Sequence, residues 1–376
     1  MKSMWIEKIR YYGEDYRFHY GDIETKDGRF TQITERDEPV PEDADTLIPG
    51  LVDMHLHGNS GADFSDGDYD GLKKMARFLA GAGTTSFSPA TLTLPEEDLT
   101  RACETAVRLR DNSPEGCATV AGITMEGPFF SEKKKGAQNA AYLKKPDIKL
   151  FTRLQETAGG MIRVACVAPE LPGAIEYIKE VKKTGVTVSA AHTEADYDQA
   201  AAGFEAGVSH VTHLFNAMPP FLHRAPGLIG AAAEREDVTV ELICDGIHVH
   251  PSAVRAACEL FGPERICLIS DAMAACGLSD GESMLGGQKV TIRDGKATLA
   301  DGTIAGSVAT LYHCVRQAIS FGIPPEDVIR CATANPARVL GAEDIGAIAV
   351  GKQADCLLCG ADWTLKEVYL RGKRLA

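Results

Sequence analysis

The chain has 376 residues, 44% of them hydrophobic, and a formal net charge of −14. That length suits one large domain plus a small one and supports a sizeable core. The acidic balance argues against nucleic acid and an anionic membrane as main partners, because both call for basic faces.

In chain order, residues 1–48 read as short strands with turn signals, as in IETKDGRFTQI. A different pattern starts at PGLVDMHLHG, where an apolar run ends in His55 and His57. On a strand, residues i and i+2 face the same side, so the two imidazoles are expected to stand next to each other at a strand tip. Seven further strand-like runs follow: TTSFSPAT, VAGITMEG, MIRVACVAPE, VTVSAAHT, SHVTHLFN, VTVELICDG and ICLISDAM. Helical stretches separate most of them, among them DYDGLKKMARFLAGAG, EEDLTRACETAVRLRDN and EADYDQAAAGFEAG. Eight such units predict an α/β fold, a (β/α)8 TIM-like barrel over residues 49–345. GLSDGESMLGG is read as a flexible surface connection. From Gly346 onward the chain again shows short strands and turns. Residues 1–48 and 346–376 are therefore expected to form one small β-sandwich domain.

The third connection, residues 128–160, is long, and its first part (FFSEKKKGAQNAAYLKKP) reads as a loop. A long loop after a barrel strand is often an active-site lid. Lys133 to Lys135 within it are read as solvated. The eleven cysteines are scattered, several within apolar runs, and MKSMWIEKIR carries no signal-peptide pattern. That usage predicts reduced thiols and a cytoplasmic location. Cys356 and Cys359 fall in a strand-like run, where an i, i+3 pair faces opposite sides. No apolar run approaches the ~18 residues of a membrane span.

Active-site groups of a parallel barrel sit at the C-terminal ends of its strands. Here those ends carry His55 and His57, Glu126, His192, His213, His248 and Asp271. One histidine at a strand end is unremarkable; this many at the same end of successive elements is not. Neutral imidazole and carboxylate suit a divalent metal such as zinc, iron or manganese. Four histidines and two carboxylates exceed the three protein ligands usual at one catalytic zinc and fit two ions sharing a carboxylate. His210, three residues before His213, is read as structural.

The motifs PGLVDMHLHG, MEGPFFS, AAHTEA, THLFNAM, HRAPGLIGAA, CDGIHVHP, LISDAMAACG, GTIAGS and TANPARVLG span nearly the whole chain. Together they resemble the amidohydrolase superfamily and, within it, the deacetylases of amino sugar phosphates. The resemblance implies that Glu126, His192 and His213 hold one divalent ion, Zn2+ or Fe2+. It implies that His55 and His57, with Glu126 bridging, hold a second, giving one or two ions per subunit. Asp271 matches the general acid/base. Asn216, Ala217, Arg224 and His248 match positions that contact the sugar phosphate, with Arg224 acting from either its own or a neighbouring subunit. The chain departs from many relatives at Gln138, where they have His, and Gln138 is expected to contact substrate from the lid. The implied reaction is hydrolysis of the acetamide of N-acetylglucosamine 6-phosphate, with a homodimer or homotetramer as the assembly. The alternatives are a deacylase of another N-acyl amino sugar, such as the galactosamine epimer, and a non-catalytic barrel scaffold.

Overall fold

Strands covered on both faces read as continuous apolar runs, and each of the eight runs forms a strand. In the computed structural model, which describes residues 3–41 and 43–375, the strands are Leu51–Leu56, Thr84–Pro89, Thr119–Val120 with Ile123–Met125, Ile162–Val167, Thr187–Ala190, Val208–Val211, Thr239–Ile243 and Ile266–Ile269. Neighbours pair in parallel. The third strand is split, and a parallel bridge between Ala90 and Thr124 carries the pairing across the break. The eighth strand closes on the first. Asp271 N–H donates to the His55 carbonyl at 3.0 Å, and His57 N–H to the Ala272 carbonyl at 2.8 Å.

Helices return the chain from each strand to the next. The first, Tyr69–Gly81, starts at Asp68, whose carboxylate accepts the Asp70 and Gly71 N–H groups. Its buried residues, Leu72, Met75, Ala76, Leu79 and Ala80, follow the i, i+3, i+4 spacing of one helix face. Val52 and Met54 of the first strand share an apolar cluster with Val164 and Cys166 of the fourth and Cys267 and Ile269 of the eighth. Strands one and four are not neighbours, so this cluster fills the barrel interior. Burying those side chains contributes roughly 1.5–3 kcal/mol for each of the larger ones.

Both ends of the chain enter a single seven-stranded sheet. Its order is Lys373–Arg374, Leu365–Leu370, Cys356–Cys359, Thr46–Pro49, Ser3–Tyr12, Phe18–Lys26, Arg29–Glu35. The Ser3–Tyr12 strand pairs in parallel with Thr46–Pro49, and the other pairs are antiparallel. Cys356 and Cys359 fall in different apolar clusters, as an i, i+3 pair on a strand should. All eleven cysteines are free. Among the described residues, no helix is long and apolar enough to cross a membrane.

One expectation fails. GLSDGESMLGG is not a flexible connection. Its Gly281–Leu285 portion is the first strand of an antiparallel three-stranded sheet with Gln288–Arg293 and Lys296–Thr298. Gly286 and Gly287 make the first turn, Asp294 and Gly295 the second, and all four have positive φ. Two-residue turns of this kind match the twist of a hairpin. Leu285, Val290, Ile292 and Ala297 then bury one face against Leu92, Met273 and Ala305.

Candidate active site

The strand ends bring the predicted groups together. His55 and His57 have ring centroids 5.4 Å apart. Two sets of ligand atoms form within one cluster: His55, His57 and Asp271, and Glu126, His192 and His213. Each set lies within 4.8 Å of mutual contact, and every member is buried. His192, His213 and Asp271 adopt left-handed backbone, with φ of 46°, 31° and 48°. For a non-glycine residue this costs about 1–3 kcal/mol, and such strain concentrates where a side chain must be aimed at a functional site.

The hydrogen bonds fix how each imidazole is presented. His55 Nδ1 faces Glu241 Oε2 at 2.9 Å, His57 Nδ1 faces the Ala90 carbonyl at 3.2 Å, and His192 Nδ1 faces the Lys134 carbonyl at 2.9 Å. A carbonyl or an ionised carboxylate only accepts, so the proton of each neutral ring belongs on Nδ1. The Nε2 lone pairs then point inward. His192 Nε2 and His213 Nε2 lie 3.1 and 3.2 Å from Glu126 Oε1 and 3.2 Å from each other. His57 Nε2 is 3.3 Å from both Glu126 Oε2 and Asp271 Oδ1. His55 Nε2 is buried with no hydrogen-bond partner. Lone pairs aimed at carboxylates in a dry site repel one another unless a positive charge sits between them. A divalent cation fits this donor set, and so do protons.

Electrostatics agree. Burial opposes charge on His57, but hydrogen bonds to the Asp271 and Glu126 carboxylates outweigh it and push the imidazole up to about 10. Burial likewise opposes charge on His55, yet Glu241 and Glu126 hold it well above its ordinary range. Burial also penalises the Glu126 carboxylate, but His55, His192 and His213 keep it well below the usual range. The cluster thus attracts positive charge, and a metal must displace protons from the same nitrogens. Metal binding to the metal-free protein near neutral pH is expected to release protons, with affinity rising as pH rises. Calorimetry in buffers of different ionisation enthalpy measures the release, and an enthalpy that does not change with buffer would contradict it.

The cluster lies at the floor of a cavity of about 550 Å³. Asn216, Ala217 and His248 line it. His248 Nδ1 is tied to Asp245 Oδ2 at 2.7 Å. The lid contributes Glu132 through Gln138. Lys133 is exposed, and the half-buried Lys134 and Lys135 donate from their ammonium groups to the Met218, Gly136 and Gln138 carbonyls. Gln138 is buried, and its amide donates to Glu126 rather than standing free toward the cavity. Arg224 is not brought into the cavity of its own chain. It is exposed on the 219–225 loop, beside exposed Phe221 and Leu222.

Glu241 was not anticipated. It is fully buried and accepts from three groups: His55 Nδ1, the His213 N–H at 3.0 Å, and His210 Nε2 at 3.2 Å. It thereby orients His55 and anchors the backbone of His213, the outer-shell arrangement that sharpens metal sites. The signal was available as a lone carboxylate in the otherwise apolar run VTVELIC. The three-stranded insertion also went unanticipated as a cavity wall, which it forms through Leu285 and the neighbouring residues Asp301, Thr303 and Ile304.

Comparison with known proteins fits this geometry. The amidohydrolase family model matches residues 46–375. The chain belongs to that family. Among other amidohydrolases, an N-acetylglucosamine-6-phosphate deacetylase of Bacillus subtilis (strain 168) is 37% identical, over 99% of this chain and 96% of its own. An N-acetylgalactosamine-6-phosphate deacetylase of Escherichia coli is 33% identical, over 89% of this chain and 90% of its own. A solved mutant N-acetyl-D-glucosamine-6-phosphate deacetylase of Mycobacterium smegmatis, in complex with N-acetyl-D-glucosamine-6-phosphate, superposes with a TM-score of 0.93. It is 33% identical, and the match covers 100% of both chains.

Proposed function

We propose that this amidohydrolase hydrolyses the acetamide of N-acetylglucosamine 6-phosphate, releasing acetate and glucosamine 6-phosphate. The observation that carries the reading is the buried cluster of His57, His192, His213, Glu126 and Asp271 at the floor of the cavity, with His55 directly behind it. It is joined by near full-length similarity to deacetylases of this substrate. The two groupings support one ion on Glu126, His192 and His213 and a second near His55 and His57, with Zn2+ or Fe2+ the ions of choice. A divalent cation supplies carbonyl polarisation and a water pKa lowered to roughly 7.

The chain's own residues do the rest. Burial works against the ionised form of Asp271, but His57, with help from His55 and His213, holds its carboxyl below the usual range. Asp271 is therefore charged at neutral pH. It accepts a proton from the attacking water and then delivers it to the departing nitrogen. Asn216, Ala217 and the unengaged nitrogen of His248 contact the sugar. The folded lid and the insertion wall keep bulk water from the floor. Residues 49–345 form the catalytic barrel, and residues 1–48 with 346–376 form the small β-sandwich domain, a division supported by the sheet that both chain ends share. We place the enzyme in the cytoplasm, as a homodimer or homotetramer.

Arg224 supplies the phosphate contact to a neighbouring subunit's cavity. Its exposure, beside exposed Phe221 and Leu222, supports a role across a subunit boundary. A guanidinium fork suits a phosphate dianion. Arg224→Ala should raise KM for the phosphorylated sugar and leave unphosphorylated N-acetylglucosamine nearly unaffected. Mixing Arg224→Ala with Asp271→Asn subunits should restore activity. Equal losses on both sugars would remove the phosphate role. No restoration would remove the role in trans.

The epimer question is tested by comparing turnover of the N-acetylglucosamine and N-acetylgalactosamine 6-phosphates. We expect the larger kcat/KM on the glucosamine compound. A preference for the other epimer would overturn that assignment while leaving the deacetylase reading intact.

A further inference from the structure

The two carboxylate oxygens of Glu126 serve different histidines. Oε1 lies 3.1 Å from His192 Nε2 and 3.2 Å from His213 Nε2. Oε2 lies 3.3 Å from His57 Nε2, while His55 Nε2 lies 3.6 Å from Oε1. A small rotation of this side chain would misalign it with both sets, so something must fix it. Gln138 is in a position to do so. Its Nε2 donates to Glu126 Oε2 at 2.7 Å, and its Oε1 accepts the Thr93 N–H at 2.7 Å. An amide flip would set oxygen against carboxylate and NH2 against N–H, so the orientation is determined by its neighbours. Gln138 is only 4% exposed, and a hydrogen bond to an ionised partner in a dry site is a strong one.

The loop that carries Gln138 is itself tied down. Gln288, at the start of the second strand of the insertion, donates to the Ala137 carbonyl at 2.5 Å. Lys135 Nζ donates to the Gln138 carbonyl at 3.4 Å. The Lys134 carbonyl faces His192 Nδ1 at 2.9 Å. Two members of one ligand set are therefore bonded to the same short stretch of lid, His192 as donor to it and Glu126 as acceptor from it.

We propose that Gln138 is a positioning residue that orients Glu126 between the two histidine sets and couples the order of residues 132–138 to metal retention. This rests on Glu126 being a metal ligand. The lid is then part of the metal site's outer shell, and the Gln138 amide is not a donor to the substrate.

Gln138→Met preserves length and volume while removing both hydrogen bonds. Zn2+-loaded wild-type and variant enzyme are challenged with excess chelator, and zinc loss is followed by a colorimetric indicator. Outer-shell substitutions typically cost 10- to 100-fold in metal affinity or activity, so zinc should leave the variant about 10 to 100 times faster. Its kcat should fall with KM for the sugar phosphate unchanged. Unchanged zinc loss, with or without a raised KM, would overturn the proposal. Hydrogen exchange on the wild-type chain gives a second measurement that does not depend on the variant folding. Protection over residues 132–138 should drop when zinc is removed, and equal protection would overturn the coupling. Glu126→Gln separates the two layers of the argument. If it retains zinc normally, the reading of the metal site fails; if it loses zinc while Gln138→Met does not, only the positioning role fails.

Discussion

Asp271→Asn should lower kcat by about 10²- to 10⁴-fold, the usual worth of a general acid/base. The substitution keeps the shape and removes the proton acceptor. The ion on Glu126, His192 and His213 should remain, because Asp271 belongs to the other ligand grouping. Asp271 Oδ1 lies 3.3 Å from His57 Nε2, so the ion near His55 and His57 is expected to bind more weakly in the variant. Metal analysis together with single-turnover rates separates the two effects. Wild-type turnover in Asp271→Asn would exclude the proton-transfer role.

His192→Asn or His213→Asn should abolish the ion at the Glu126 set and, with it, activity. Each removes a buried imidazole whose Nε2 lies within 3.2 Å of Glu126 Oε1. Changing His55 and His57 together should cost the second ion and only part of the rate. Metal stoichiometry of the purified variants provides the check. Loss of both ions in the double variant would argue for a single inseparable cluster, as would retention of both in His192→Asn.

The barrel was legible because its strands are short, largely apolar and buried on both faces, and histidines and carboxylates recur at their C-terminal ends. The HxH pair was legible for the same reason, since strand geometry alone places both rings side by side. The insertion was missed although its turns were visible, because MLGGQ and RDGKA are hairpin signals lying outside the expected strand–helix alternation. Glu241 was not legible as part of the site because it sits inside its strand rather than at the end and touches the cluster only through His55 and His213. Gln138 was expected to face substrate, and the Glu126 carboxylate that its amide meets was not foreseen. Loop residues contact whatever the loop folds against, and local sequence does not encode that. Arg224 shows the same limit, because whether an exposed arginine serves a cavity depends on a surface this chain does not contain.

The most direct test of the account is acetate release from N-acetylglucosamine 6-phosphate by the purified enzyme, before chelation, after it, and after re-addition of single divalent ions. The account predicts acetate and glucosamine 6-phosphate in equal amounts, loss of activity on chelation, and recovery with Zn2+ or Fe2+. Turnover that survives complete metal removal, or no acetate release with any ion, would contradict it.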